Sequence, residues 1–191
     1  MKKMILSFLL TITFTLIAGA AFATPVQWSV NGHYYEHISD FSGIWTAADS
    51  DAQSQSYQSL NGHLATITSA GENNFILSSF GGNPTAFIGG YQLDTATTPD
   101  SGWAWVTGET WDYTAWYSSE PNDGGDNYEN GQEDYLMLYR DGGVWNDIYN
   151  DWSFSYIVEY EDMQTPVPEP ATLILLGSGL AGLAFYRRKR K

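Results

Sequence analysis

EPNDGGDNYENGQEDYLMLYRDGGVWND, residues 120 to 147, is the stretch on which the rest of the chain turns. Eight carboxylates stand there among glycines and asparagines, against a single base, Arg140. Like charges crowded into a loop-rich segment repel, and either bulk water or a bound cation must offset the repulsion. The same stretch carries an apolar run, Tyr135 to Tyr139, then Asp141-Gly142-Gly143, then Val144-Trp145, which predicts a hairpin at its centre.

Outward from this stretch, the two ends of the 191-residue chain read as processing segments. Met1-Lys2-Lys3, the apolar run Ile5 to Ala18 and Ala21-Phe22-Ala23 form the pattern of a secretory signal peptide over residues 1–23. At the other end, Val167-Pro168-Glu169-Pro170 precedes an apolar, glycine-containing run, Ala171 to Tyr186, and the basic tail 187–191. That run falls slightly short of the roughly 20 residues of a full span. Its basic flank favours the cytoplasmic side during a transient membrane association. Motif, order and position together closely resemble the PEP-CTERM sorting signal. The resemblance implies a Gram-negative bacterium, processing by an exosortase, and the cell surface or an exopolysaccharide matrix as destination.

Between these ends lies one domain, residues 24–162, with a short linker at 163–166. Residues 24–166 hold 21 acidic side chains against Arg140 alone, a net charge of −20. Phosphate neutralisation needs Lys and Arg, so nucleic acid is disfavoured as a partner, as are anionic lipid surfaces. The chain has no cysteine. Its 8 Trp, 13 Tyr and 9 Phe supply a core instead.

Local patterns place the elements. Val26 to Val30 and His33 to Ile38 alternate around an Asn31-Gly32 turn. Trp45 to Leu60 lacks proline and is rich in Ala, Ser and Gln, which predicts a helix ending at Asn61-Gly62. Leu64 to Ile67 is a short strand. Ser69 and Glu72 form a capping box that opens a second helix, with Phe75, Ile76 and Phe80 inward and Gly81-Gly82 at its end. Strands are expected at Ala86–Gly90, Trp103–Val106 and Tyr156–Tyr160. Helices early and strands late predict an α+β fold.

Five spaced segments now combine: Gly62-His63-Leu64-Ala65-Thr66-Ile67, Phe87-Ile88-Gly89, Trp105-Val106-Thr107-Gly108, Glu120-Pro121-Asn122 and Trp145-Asn146-Asp147. Together they resemble the C-type lectin domain across roughly residues 28 to 160. The resemblance implies two helices flanking small antiparallel sheets, with a long loop region that holds calcium. It departs in one respect. The family's cysteine pairs would fall near Tyr57 with Val158, and Tyr135 with Asn150. A packed contact can replace the first pair, while losing the second leaves the loop less constrained, by about 2–4 kcal/mol. Bound calcium would compensate in part.

Carried over by motif, the resemblance assigns calcium to Glu120 and Asn122 of E-P-N, to Glu133, and to Asn146 and Asp147 of W-N-D. These are the hard oxygen donors calcium prefers. It implies a cis Glu120–Pro121 bond, and sugar recognition by Glu120, Asn122, Glu133 and Asn146. Carboxylates would accept the hydroxyl protons of a vicinal diol, and amide NH2 groups would donate to its oxygens. In the family E-P-N accompanies mannose- and glucose-type diols, whereas Q-P-D accompanies galactose. Asp123 and Asp134 match ligands of a second calcium, but Gln92 stands where a further acid is expected, with Asp94 and Asp100 nearby. The inserted Asp126, Asn127 and Glu129 are expected either to bind further calcium or to block or reshape the sugar face. Glu72, Glu159 and the Thr66 carbonyl match a peripheral calcium of some members, although the capping box explains Glu72 equally well.

Other chemistry is weaker. His33 and His37 read as a surface pair without a third zinc ligand, and His63 as a local structural residue. Trp111, Trp116 and Tyr117 read as core, with one of them available to a sugar ring. Glu120 and Glu133 would be poor glycosidase carboxylates, because an ionised ligand cannot act as general acid. The expectation is therefore a binding protein and not an enzyme. It is a secreted, calcium-dependent lectin, or alternatively a matrix adhesin of the same fold whose calcium is structural only.

Overall fold

The computed structural model describes residues 24–82, 84–124, 133–139 and 142–162. The signal segment, the linker, the sorting segment with its run 171–186, the inserted Asp126, Asn127 and Glu129, and Arg140 lie outside them. Among the described residues no helix is long and apolar enough to cross a membrane.

The chain opens on β1 (Val26–Gln27) and β2 (Tyr34–Gly43), which pair antiparallel across the expected turn. Asn31 Oδ1 accepts from the His33 amide at 3.0 Å, closing the turn locally. Helix α1 (Trp45–Ser54) buries Trp45, Ala48 and Ala52. The sequence predicts this helix as far as Leu60, and it stops six residues earlier. Beyond Ala52 the segment Gln53 to Ser59 offers no apolar residue at helical spacing except Tyr57. Its backbone instead forms β3 (Ser56–Tyr57), which turns back onto β4 (Leu60–Leu64). The expected strand at Leu64–Ile67 is thereby shifted towards the N-terminus.

Helix α2 (Ala70–Ser79) starts as predicted, with Ser69 Oγ accepting from the Glu72 amide at 3.2 Å. The reciprocal arm of the box does not form. Glu72 turns its carboxylate to the Thr68 amide and hydroxyl. At the far end Gly82 N donates to Leu77 O at 2.7 Å, a Schellman-type closure with Gly81 and Gly82 both at positive φ.

The remaining strands are β5 (Ala86–Gln92), β6 (Trp103–Trp105), β7 (Tyr135–Tyr139), β8 (Val144–Ile148) and β9 (Phe154–Glu161). They link into one branched sheet of order β1-β2-β9-β5-β7-β8, with β4 also on β9 and β6 also on β5. The small sheets expected from the resemblance are thus joined through β9. Only β5 with β9 runs parallel among these paired strands. The turn between β7 and β8 needs Gly143. Its φ is 77°, and a Cβ there would meet Leu77 Cδ1 at 2.0 Å.

Aromatic residues fill the space that disulfides leave unclaimed. Trp105 and Trp145 are fully buried with rings 5.7 Å apart, edge to face, and Trp111 and Trp116 pack around them. Tyr57 packs with Tyr34 and Tyr160 in the cluster that also contains Val158. The second position pair finds two separate anchors on the first turn of α1. Tyr135 packs against Trp45 at 4.6 Å, and Asn150 Oδ1 accepts from the Thr46 amide at 3.1 Å. That bond serves a helix whose own N-cap, Ile44, has no side-chain acceptor.

Candidate functional site

The β7–β8 hairpin sets the floor of the acidic loop. Asn146 and Asp147 lie in β8, opposite Met137 and Leu136, and strand alternation buries Asp147 while leaving Asn146 half-buried. Segment 115–117 runs alongside β8. Trp145 N donates to Ala115 O at 2.7 Å and Tyr117 N to Trp145 O at 2.8 Å. This contact brings Glu120 to the end of the hairpin, and its amide bonds to Tyr117 O at 3.0 Å. The Glu120–Pro121 peptide is cis, as expected.

Asp147 anchors the loop to this floor. Its Oδ2 accepts from the amides of Asn122 at 2.9 Å and Asp123 at 2.8 Å. Its Oδ1 is buried and accepts no hydrogen bond among the described residues. Asn122 donates its side-chain NH2 to Glu120 Oε2, and Asn146 donates its own to the Asp147 carbonyl. Glu133 Oε2 accepts from Gly124 N at 2.6 Å, and Glu133 N donates to Asp123 Oδ1 at 3.1 Å. The structure thus brings all five primary candidates, Glu120, Asn122, Glu133, Asn146 and Asp147, into one neighbourhood.

The electrostatics there are unfavourable to the ionised acids. Burial, the charge of Asp147 and a proton shared with it push the Glu120 carboxyl up to about 7. Burial and then Asp147 push Glu133 up to about 7 as well. Burial raises Asp147 itself, against the bonds from the Asp123 and Asn122 amides. Among the described residues no three His, Asp or Glu side chains form a ready metal cage. The donor set is instead mixed, carboxylates with two amides, and all its donors are hard oxygens. An orphaned buried carboxylate oxygen beside two acids raised by crowding fits a divalent, oxygen-seeking cation.

The second acidic group is placed partly as expected. Asp123 and Asp134 line one cavity with Asp94 and Gln92, and burial, then Asp123 and Asp94, raise Asp134. The side-chain nitrogen of Gln92 holds the neighbouring loop, Nε2 donating to the carbonyls of Thr98, Pro99 and Ser101 at 2.8–3.1 Å. Asp100 is engaged in its own turn, accepting from Thr98 Oγ1 at 2.6 Å.

The peripheral acids form a different arrangement. Glu72 and Glu159 are buried, and the Tyr35 hydroxyl reaches both, sharing one hydrogen between them. Asn31 also donates to Glu72. Glu159 Oε1 meets His33 Nδ1 at 2.6 Å, and its Oε2 accepts from the Thr66 amide at 2.9 Å. Protein donors therefore fill the oxygens that the resemblance offers to a peripheral ion. The expected His33–His37 surface pair does not form. His33 engages Glu159 and Glu161, whereas His37 bonds Ser155 Oγ at 2.8 Å, with burial lowering its pKa. The Glu159 hydrogen bond raises His33. His63 is buried beside Glu161, whose bond carries it above its ordinary value in spite of the burial.

Sequence reasoning misses one side chain near the primary site and places another there only loosely. Trp152 is 54% exposed and Tyr117 41% exposed, and both line a cavity with Glu120, Glu133 and Asn146. The available signal for Trp152 is its isolation as a large aromatic after the polar pair Asn150-Asp151, just beyond W-N-D.

Comparison with known proteins identifies the family and the fold. The family model described as Lectin C-type domain matches residues 47–159, and that of the PEP-CTERM protein-sorting motif matches 166–191. The chain is 32% identical to halomucin of Haloquadratum walsbyi over 149 residues, 71% of this chain but only 2% of that much longer protein. It is 29% identical over 136 residues to the alpha-N-acetylgalactosamine-specific lectin of Patiria pectinifera, covering 70% of this chain and 77% of that one. The fold superposes on the human scavenger receptor C-type lectin carbohydrate-recognition domain with a TM-score of 0.58. That match has 23% identity and covers 72% of this chain and 95% of that one.

Proposed function

Because the chain belongs to the C-type lectin domain family and ends in a PEP-CTERM protein-sorting motif, we propose that it is an exported lectin that binds carbohydrate in a calcium-dependent manner at the acidic loop. The family and its lectin relatives support carbohydrate binding. The observation that carries calcium is the buried Asp147 Oδ1, without a hydrogen-bond partner among the described residues, beside Glu120 and Glu133 held near 7. Glu120, Asn122, Glu133, Asn146 and Asp147 would hold the ion, which supplies the positive charge that anchors a diol. The chain's own residues read the diol. Glu120 and Glu133 accept its hydroxyl protons, and the NH2 groups of Asn122 and Asn146 donate to its oxygens. The E-P-N triplet supports mannose- or glucose-type sugars over the N-acetylgalactosamine of the Patiria relative. Asp94, Asp123 and Asp134 make a second, adjacent place for calcium.

In this reading residues 1–23 direct export and an exosortase acts on the 167–191 segment after a transient membrane association through 171–186. The product is retained at the cell surface or in exopolysaccharide. Single sites of this kind bind weakly, so a repetitive polysaccharide supplies the avidity. The test is binding of the purified protein to mannose- and glucose-terminated glycans in calcium and in EDTA, with the double variant Glu120→Gln, Asn146→Ala. The expected result is binding in calcium, lost in EDTA and lost in the variant. Binding unchanged in the variant overturns the assignment. Calcium stabilisation with no glycan bound would leave a matrix protein with structural calcium.

A further inference from the structure

The cavity beside the proposed diol site has a lining of two unlike kinds. Glu120, Glu133 and Asn146 contribute polar groups to it, and Tyr117, Trp152 and Phe154 contribute aromatic rings. Its volume of ≈ 490 Å³ lies among sites that bury drug-sized ligands, about 300–1,000 Å³, and exceeds what one hexose ring occupies. A sugar is amphipathic in the matching sense. Its hydroxylated edges need donors and acceptors, and the C–H faces of its ring need an apolar plane.

Trp152 is held ready to supply such a plane. Its ring stacks on Phe154 at 6.0 Å with an interplanar angle of 15°. Phe154 in turn packs edge-on against the fully buried Phe87 at 5.6 Å. A column of three rings therefore runs from the core to the surface and fixes the exposed indole before any ligand arrives. Fixing a large flat side chain in advance lowers the ordering cost of binding. Tyr117 stands over the same cavity, its backbone tied to Trp145 and its ring 6.0 Å from Tyr139.

We infer that this cavity is a two-ring site: one sugar presents its diol to Glu120, Glu133 and Asn146, and the next sugar of the same glycan lays its apolar face on Trp152. The inference rests on the carbohydrate-binding function proposed above and deepens it, making the ligand class an oligosaccharide segment and not a terminal monosaccharide. Because Trp152 is exposed and outside the proposed ion ligands, its replacement leaves the fold and the diol site intact.

Calorimetric titration of the full chain in saturating calcium tests this with matched probes: methyl α-mannoside against α1,3-mannobiose, and methyl α-glucoside against maltose. The expected result is a disaccharide of at least one pair binding about tenfold tighter than its monosaccharide, the size of one good aromatic contact. Trp152→Ala removes that gain and leaves monosaccharide affinity unchanged, and Trp152→Phe retains part of it. Equal loss for monosaccharide and disaccharide in Trp152→Ala overturns the inference, because the indole then serves the first ring. No loss for either, or no disaccharide preference in the wild type, overturns it too. A wild type that binds none of the four probes overturns the underlying lectin assignment as well, which separates the two failures.

Discussion

Two groups of acids in this molecule are built from similar residues and end in opposite states. Around Glu72 and Glu159 each carboxylate oxygen meets donors of the protein itself: Tyr35, Asn31 and His33 on one side, the Thr66 and Thr68 amides and hydroxyls on the other. Around Glu120, Glu133 and Asp147 donors reach some oxygens, yet among the described residues none reaches the buried Asp147 Oδ1; burial and crowding raise these acids, as burial and Glu159 raise Glu72. Burial alone does not separate the two groups, since Glu159 and Asp147 are each 1% exposed. The supply of donors does. A carboxylate closed by its own chain is structural, whereas one left open among like charges is a place for something from solution.

The sharpest way to break this contrast is Glu159→Ala. It strips the acceptor from His33, Tyr35 and the Thr66 amide in the interior, and should cost about 3–5 kcal/mol in chemical denaturation. The loss should be the same in calcium and in EDTA. A loss that calcium repairs would mean the network is open after all.

A smaller effect sharpens the other side. Glu120 and Glu133 titrate near 7 in the folded state and in the ordinary carboxylate range, about 4.3, when unfolded. Between those limits the native state binds more protons, so stability is highest below the lower limit and is lost as pH rises through 7. His33 and His63, also raised, add a decline of the same sign. In EDTA the protein should therefore be less stable at pH 8 than at pH 5. Calcium and the variant Glu133→Gln should each flatten the acid-loop part of that decline and leave the histidine part. A stability that rises across this window in EDTA contradicts the account.

Much of the site was legible because its residues are contiguous. E-P-N and W-N-D are each three residues long and readable as units, and their meeting at one site was implied by the resemblance to the C-type lectin domain. Helix α2 was legible for the same reason, its cap and its glycines being adjacent to it in sequence. What failed to show depends on partners far along the chain. Nothing near Glu159 announces that Tyr35, 124 residues away, will bond to it. Nothing near Gln92 announces that its amide will hold three carbonyls of the loop beyond it. The overrun of α1 has another cause. A polar run without proline satisfies helix propensity, yet Ser56 and Tyr57 gain more by pairing with Leu60 and Asn61. Trp152 escapes sequence reasoning because one exposed aromatic means little until Phe154 and Phe87 are seen behind it.

The central claim is that the open acidic loop is a calcium site, and thermal unfolding of the purified full chain in EDTA and then in rising calcium tests it most directly. With calcium at a hundred times its dissociation constant, the account predicts a gain of about 2.7 kcal/mol that keeps rising with the logarithm of calcium, absent in Asp147→Asn. A wild type whose unfolding temperature does not move with calcium, or an Asp147→Asn protein that gains as much as the wild type, would contradict it.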